Sequence, residues 1–552
     1  MYRTTDIPRP WVKHYEPNVK PHLRYPNITL PQMLEQTAEK HPNNTALIYF
    51  GNRITYAQLL DHVNRFAAGL QSLGVQKGDR VALMMPNCPQ FVISYFGAMQ
   101  AGAVVVATSP MYTPREAEHQ WRDSGAETVI VDRRLLPVVK AVREKLPLKN
   151  VIVTGIRDYY PTHFAALQKS LRHASRITHH ASRIYRWDEL IRNPKSEIRN
   201  RLAPSDLACL QYTGGTTGTS KGAMLTQANM VINTHQAVHW LMRGQESRES
   251  FVAALPLFHI YAMTVVMLAS VLSGSTMIIL PRFELKAALN IVRKYRPTLF
   301  HGVPTMYVAF NNAPNVEGYG FHSLKCCMSG GAPLPVEVQQ KFEALTGGKL
   351  VEGYGLTETS PVTHTNPLFG TRKVGSIGVP IPDTDAKIVD LETGTRDLPI
   401  GEIGEVVIRG PQVMKGYWNK PEETANALRD GWLYTGDIGK MDEDGFFYIV
   451  DRKKDMIIAG GFNVYPREVE EVLFEHPKIK EAAVIGVPDA YRGETVKAFV
   501  VPQDGATVTP EEITAFCRER LAAYKVPRLI EFRESLPKTG VGKYLRRALR
   551  ES

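Results

Sequence analysis

The chain reads as an α/β protein: a large N-terminal domain of parallel-sheet α/β layers with a small antiparallel section, followed by a small α+β C-terminal domain. Three observations predict this. Short apolar runs, VALMMP (81–86), AVVVATSP (103–110), AETVIVD (126–132) and NVIVTG (150–155), alternate with helical patterns, the grammar of repeated β-α-β units. At 552 residues the chain exceeds one ordinary core, so two or more domains are expected. Around GEIGEVVIRGPQVMKGYWN (401–419) the alternation gives way to short strands and Gly-rich turns, an antiparallel pattern.

Taken in order, Thr29 to Lys40 and Thr55 to Leu73 read as helices. The second carries Leu59, Leu60, Val63, Phe66, Ala67 and Leu70 at helical spacing, with Gly74 as its stop. Pro89 to Gln100 is a helix between the first two strands. Two long uncharged runs, Val81 to Pro114 and Phe251 to Pro281, are each interrupted by turn residues, whereas a spanning helix needs about 20 unbroken apolar residues. They read as buried strand, buried helix and buried strand of a sheet covered on both faces. DLACLQY (206–212), TLFHGVPTM (298–306), LKCCMSGGAPL (324–334) and VEGYGLTETSP (351–361) are further strand-then-loop units. GWLYTGDIGKMDEDGFFYIVDRKKD (431–455) closes the large domain in a charged connector. We place that domain at 1–450, a hinge at 451–454 and the small domain at 455–552. In the small domain Pro466 to Glu475 and 510–521 read as helices, the latter opened by a capping box at Thr509 and Glu512.

A hydrophobic content of 43% with 22% charged residues is that of a soluble globular protein. The net charge of +11 admits nucleic acid, an anionic membrane surface or anionic small molecules as partners. No nucleic-acid motif accompanies the charge. The five cysteines form no CxxC pair and no ligand cluster with histidines, so neither zinc nor a disulfide framework is indicated and a reducing, cytoplasmic setting fits. The N-terminal stretch lacks the apolar region of a secretory signal. The segment 159–187 is basic, histidine-rich and free of acids. It suits either contact with an anionic membrane surface, on the inner face, or a solvated helical insertion packed on the body.

The densest chemical signal is YTGGTTGTSKG, Tyr212 to Gly222, which holds four glycines, five Ser and Thr hydroxyls and one lysine without an acid. Amides freed by glycine, hydroxyl donors and an ammonium group are equipment for holding a polyphosphate. A Walker-type loop requires Gly before the lysine and Ser or Thr after it. Here Ser220 and Gly222 flank Lys221, so that class loses its main support. Glu358, amid hydroxyls, suits either a magnesium ligand or a helix cap. His259, among apolar groups, has the setting of a structural histidine, and Lys543 that of a surface lysine in a loop.

YTGGTTGTSKG, SGGAPL, EGYGLTE, YTGDIG, DRKKDMIIAGGFNVYP and PKTGVGK, in this order and spacing, resemble the adenylate-forming superfamily of acyl-CoA synthetases, firefly luciferase and peptide-synthetase adenylation domains. The resemblance covers about residues 27 to 550 and is greatest to bacterial long-chain fatty-acid:CoA ligases. It implies activation of a fatty acid by ATP to an acyl-adenylate, then transfer to coenzyme A, with Mg2+ as cofactor. An aryl or medium-chain acid, or loading of a carrier protein, is the alternative within this mechanism, and a membrane-associated acyl- or nucleotide-binding protein without turnover is the alternative outside it. Residue by residue, the resemblance implies that Thr213, Gly214, Gly215, Thr216, Thr217 and Lys221 cover the β- and γ-phosphates. Gly331, Ala332 and Pro333, with Glu352 and Tyr354, would form the adenine wall. Thr357 would meet the α-phosphate, Glu358 and Thr213 the magnesium ion, and Asp437 the ribose hydroxyls with Arg452 beside it. Lys543 would bridge the attacking carboxylate and the α-phosphate from a small, mobile domain that turns about Lys454 and brings Gly460 and Gly461 to the pantetheine path. His259 matches a gate of the acyl pocket, and the tail is expected between TLFHGVPTM and the loop after Glu358. Monomer and homodimer are both compatible with the sequence.

Overall fold

The computed structural model describes residues 7–161, 183–192, 202–213, 220–242, 249–453, 455–459, 462–489, 493–539 and 544–550. The described residues contain four sheets. A seven-stranded sheet runs in the order Ile184–Arg186, Asn150–Thr154, Thr128–Asp132, Arg80–Met84, Val104–Thr108, Leu207–Thr213 and Lys221–Thr226. All its neighbours are parallel except the last pair. A nine-stranded sheet has a parallel centre, Leu350–Gly355, Cys326–Ser329, Leu299–Gly302, Ser250–Ala253, Thr276–Ile279 and Thr45–Tyr49, with antiparallel pairs at both edges.

Helix Pro89–Gln100 is buried at every position but its last, as expected of a helix that is apolar all round and lies between layers. Gly97 permits this: a Cβ there would stand 2.9 Å from the Phe66 ring and 3.3 Å from the Val63 carbonyl, so helix Tyr56–Ser72 packs backbone-close. Asn87 joins the two sheets, donating to the carbonyls of Ala253 and Leu255 and accepting from the Leu257 amide at 2.7 Å. Capping boxes at Thr29 and Thr55 start the two helices that the sequence predicts from Thr29 and Thr55.

The antiparallel section is a five-stranded sheet of Asp385–Val389, Gly404–Arg409, Leu428–Arg429, Trp432–Met441 and Phe447–Arg452. The smaller C-terminal domain carries a largely antiparallel sheet of Ile457–Ala459, Phe462–Val464, Ile479–Asp489 and Gly493–Pro502, with Leu529–Phe532 added in parallel, and helix Pro466–Phe474 packed on it. The two apolar runs form strand–helix–strand units, and among the described residues no helix is long and apolar enough to cross a membrane.

Three expectations need correction. The expected helix 510–521 ends at Arg518. Its capping box is half formed, because Thr509 accepts the Glu512 amide while the Glu512 carboxylate turns to Lys478 at 2.8 Å. The basic segment does not end as a helical insertion: Ile184–Arg186 is a strand parallel to Asn150–Thr154, and Trp187 then buries beside Phe66. Residues 162–182 of that segment lie outside the described residues.

Candidate active site

The glycine-rich stretch joins two antiparallel strands, so Thr213 and Lys221 face each other across the hairpin and Lys221 opens the second strand. Gly214, Gly215, Thr216 and Thr217 lie outside the described residues. Below the tip, the Tyr212 ring crosses Gly222, where a Cβ would come within 3.1 Å, and its hydroxyl donates to Asp123 at 2.6 Å. The Trp418 amide donates to the Gly222 carbonyl and the Met224 amide to that of Gly416, which brings the 414–418 segment alongside.

That segment and the helix after it supply two residues to which the sequence assigned no role. Tyr417 donates to Glu358 Oε1 at 2.7 Å, and the Lys221 ammonium sits 4.9 Å from the centre of the Tyr417 ring. Glu423, on the helix that follows, pairs with Lys221 at 2.6 Å. Both lie within the motif GPQVMKGYWNKPEET, and that was the signal by which they were findable. The turn Thr357–Thr359 packs against both strands of the hairpin, with Glu358 within reach of the Lys221 charge. Burial pushes the Glu358 carboxyl above its ordinary range, opposed by the Tyr417 hydrogen bond and the Lys221 charge.

Beside this cluster stands a second one. Strand Leu350–Gly355 presents Tyr354, whose hydroxyl donates to Asp437 Oδ2 at 2.6 Å. Asp437 and Arg452 are cross-strand partners, with their charged ends 3.7 Å apart. Glu352 pairs in register with Ser329, and the chain leaves that strand through Gly331, Ala332 and Pro333. Burial pushes the Glu352 carboxyl up to about 7, against the charge of Arg467 from the C-terminal domain.

His259 accepts the Tyr261 amide at 3.3 Å and caps the short helix Ile260–Ala262, which continues as a π-helix, Met263–Leu268. Thr264 of that segment donates to the Ser360 carbonyl at 2.6 Å. A narrow apolar cavity lies behind it, lined by Ala237, Trp240, Val265, Met328, Val362 and Thr365.

Among the described residues no three His, Cys, Asp or Glu converge to hold a metal on protein ligands alone. Magnesium commonly takes one or two carboxylates together with substrate phosphates. Glu358, desolvated and held in place by Tyr417, suits such an ion in the company of phosphate oxygens. Lys454, Gly460, Gly461 and Lys543 lie outside the described residues.

The chain matches the model of the AMP-binding enzyme family over residues 34–418 and that of the AMP-binding enzyme C-terminal domain over 468–543. It belongs to the AMP-binding enzyme family. A relative from Bacillus subtilis, a long-chain-fatty-acid–CoA ligase, is 50% identical over 551 residues, 98% of each chain. Among solved structures, ATP-bound MatB from Rhodopseudomonas palustris superposes with a TM-score of 0.83 at 31% identity, covering 95% of this chain and 99% of that one. The apo form of the same protein, at the same identity and coverage, gives 0.74.

Proposed function

We propose that this family member is an AMP-forming long-chain fatty-acid:CoA ligase. The observation that carries the reading is the juxtaposition of Lys221, Tyr417 and Glu358 with Tyr354, Asp437 and Arg452: a cation and a desolvated acid for phosphate beside a carboxylate for a ribose diol. The identity to the B. subtilis ligase supports the acyl class and coenzyme A as acceptor.

In the first half-reaction a carboxylate oxygen forms a bond to the α-phosphorus of ATP and pyrophosphate leaves. In the second the coenzyme A thiolate adds to the acyl carbonyl, and AMP leaves with the former carboxylate oxygen. Two anions meet in the first step, so positioning and charge stabilisation dominate. Thr213 to Thr217 and Lys221 hold the β- and γ-phosphates. Gly331 to Pro333, Glu352 and Tyr354 enclose adenine, and Asp437, with Arg452 beside it, accepts from the ribose. Thr357 meets the α-phosphate, and Lys543 bridges it to the attacking carboxylate. Glu358 with Thr213 would hold magnesium, which supplies charge neutralisation on the phosphates. His259 keeps the acyl entrance in shape through the helix it caps, and the tail runs into the large domain between the 298–306 segment and the loop after Glu358. Lys454 is the pivot between large and small domains, and Gly460 and Gly461 flank the pantetheine path. We place the enzyme in the cytoplasm, with the basic segment 159–187 toward an anionic membrane surface, an assignment that vesicle pelleting with and without residues 162–182, a deletion that spares strand Ile184–Arg186 and buried Trp187, checks.

The test is a panel of acids with ATP, Mg2+ and coenzyme A, following AMP and thioester. Equimolar AMP and thioester, with kcat/KM rising from C8 to C16 acids, is the expected result. A preference for aryl acids, or turnover without coenzyme A dependence, overturns the substrate assignment. Absence of AMP with every acid overturns the enzyme.

A further inference from the structure

Helix Pro466–Phe474 opens the first layer of the C-terminal domain without a cap of its own, since Tyr465 makes no side-chain bond to its first turn. Orphan amides at a helix start seek an acceptor, and a carboxylate there also answers the positive end of the dipole. The acceptor comes from across the connector. Asp451, a residue of strand Phe447–Arg452 in the large domain's five-stranded sheet, takes the Arg467 amide on Oδ2 at 2.8 Å. The Arg467 side chain returns the contact, donating to the Ile449 carbonyl of the same strand at 2.7 Å.

Asp451 holds a second part of the small domain as well. Its Oδ1, which accepts the Arg452 amide at 2.7 Å, faces Arg546 Nη1 at 3.4 Å. Arg546 begins the helix three residues after Lys543 in the chain. Its other partners, Glu470 at 2.7 Å and Asp455 at 3.3 Å, belong to the small domain's side of Lys454. Rotation about Lys454 would carry Arg546, Glu470 and Asp455 together and leave their contacts intact. Among the contacts across it that must break are those of Asp451 and the Ile449 carbonyl.

We propose that Asp451 is a positioning residue: it clasps the small domain in the orientation for adenylation and thereby sets the reach of Lys543. This rests on the function proposed above. The structure lies nearer the ATP-bound than the apo form of MatB, with TM-scores of 0.83 and 0.74. Arg467 also acts electrostatically on Glu352 of the proposed adenine wall, so the clasped helix start lies at the nucleotide side.

The test uses the full chain with Asp451→Asn, which keeps an acceptor oxygen without the charge, and Asp451→Ala, which removes both. Adenylation is read as ATP–pyrophosphate exchange with palmitate, and thioester formation from supplied palmitoyl-adenylate and coenzyme A. The expected result is a tenfold or greater fall in exchange with thioester formation unchanged or faster in at least one folded variant. Glu470→Gln, whose partner moves with it, is expected to leave that ratio alone. Proportional loss in both half-reactions, or no change, overturns the clasp. Domain orientation is read independently by energy transfer between dyes at Lys149→Cys and Asp504→Cys, since all five native cysteines are buried. Either Asp451 variant should depopulate the wild-type distance, and an unaltered distance distribution refutes the proposal. A wild-type chain that forms no adenylate defeats the functional reading, while the dye distances still decide the clasp.

Discussion

The ammonium of Lys221 lies 2.6 Å from the carboxylate of Glu423. A lysine proposed to hold polyphosphate thus has an anionic side chain as partner, with half of the Glu423 side chain exposed. Exposed pairs of this kind contribute roughly 0–1 kcal/mol. Glu423→Gln is therefore expected to lower the KM for ATP by up to about fivefold with kcat nearly unchanged. Lys221→Ala should raise that KM instead. Pyrophosphate exchange over a range of ATP concentrations measures both, and a higher KM in Glu423→Gln contradicts competition between carboxylate and phosphate.

Tyr354 orients Asp437 through a bond of 2.6 Å to one carboxylate oxygen. A hydrogen bond to a charged group contributes about 1.5–3 kcal/mol. Tyr354→Phe should accordingly weaken ATP use by roughly ten- to a hundredfold. Asp437→Ala should also erase the preference for ATP over 2′-deoxy-ATP. If the alanine variant keeps that preference, Asp437 does not read the ribose.

Glu352 has a native pKa of about 7 against an ordinary value of 4.5, chiefly through burial. The folded state therefore binds its proton more tightly than the unfolded chain. The associated stability is complete below pH 4.5 and is lost as pH rises through about 7. Glu352→Gln should be more stable than wild type above pH 7, by ~3 kcal/mol, with the difference vanishing below pH 4.5. Ligand-free denaturant melts at pH 4 and pH 8 check the sign. A larger gain at pH 4 than at pH 8 is the contrary result.

Lys543→Ala should abolish adenylation while sparing thioester formation from supplied acyl-adenylate. Equal losses in both half-reactions would count against that division of labour.

Much of this architecture was legible in the primary structure because its causes are local. Thr29 and Thr55 are followed by the glutamines that complete their capping boxes, and the fully apolar Pro89–Gln100 reads as a buried helix without knowledge of its neighbours. The order of six motifs, from the 212–222 loop to PKTGVGK, was enough to point to the family and to name the residues Tyr354 and Asp437 that the fold then placed in contact.

Tertiary structure alone decided which distant side chains meet. Lys221 and Glu423 are 202 residues apart, Tyr417 and Glu358 are 59 apart, and Asp451 and Arg546 are 95 apart. Glu512 leaves the cap of helix Pro510–Arg518 for Lys478 for the same reason. Hydrophobic period and capping signals act within a few turns of chain, so they specify elements. The pairing of charges across the hairpin tip and across the connector depends on how those elements pack, which no local pattern encodes.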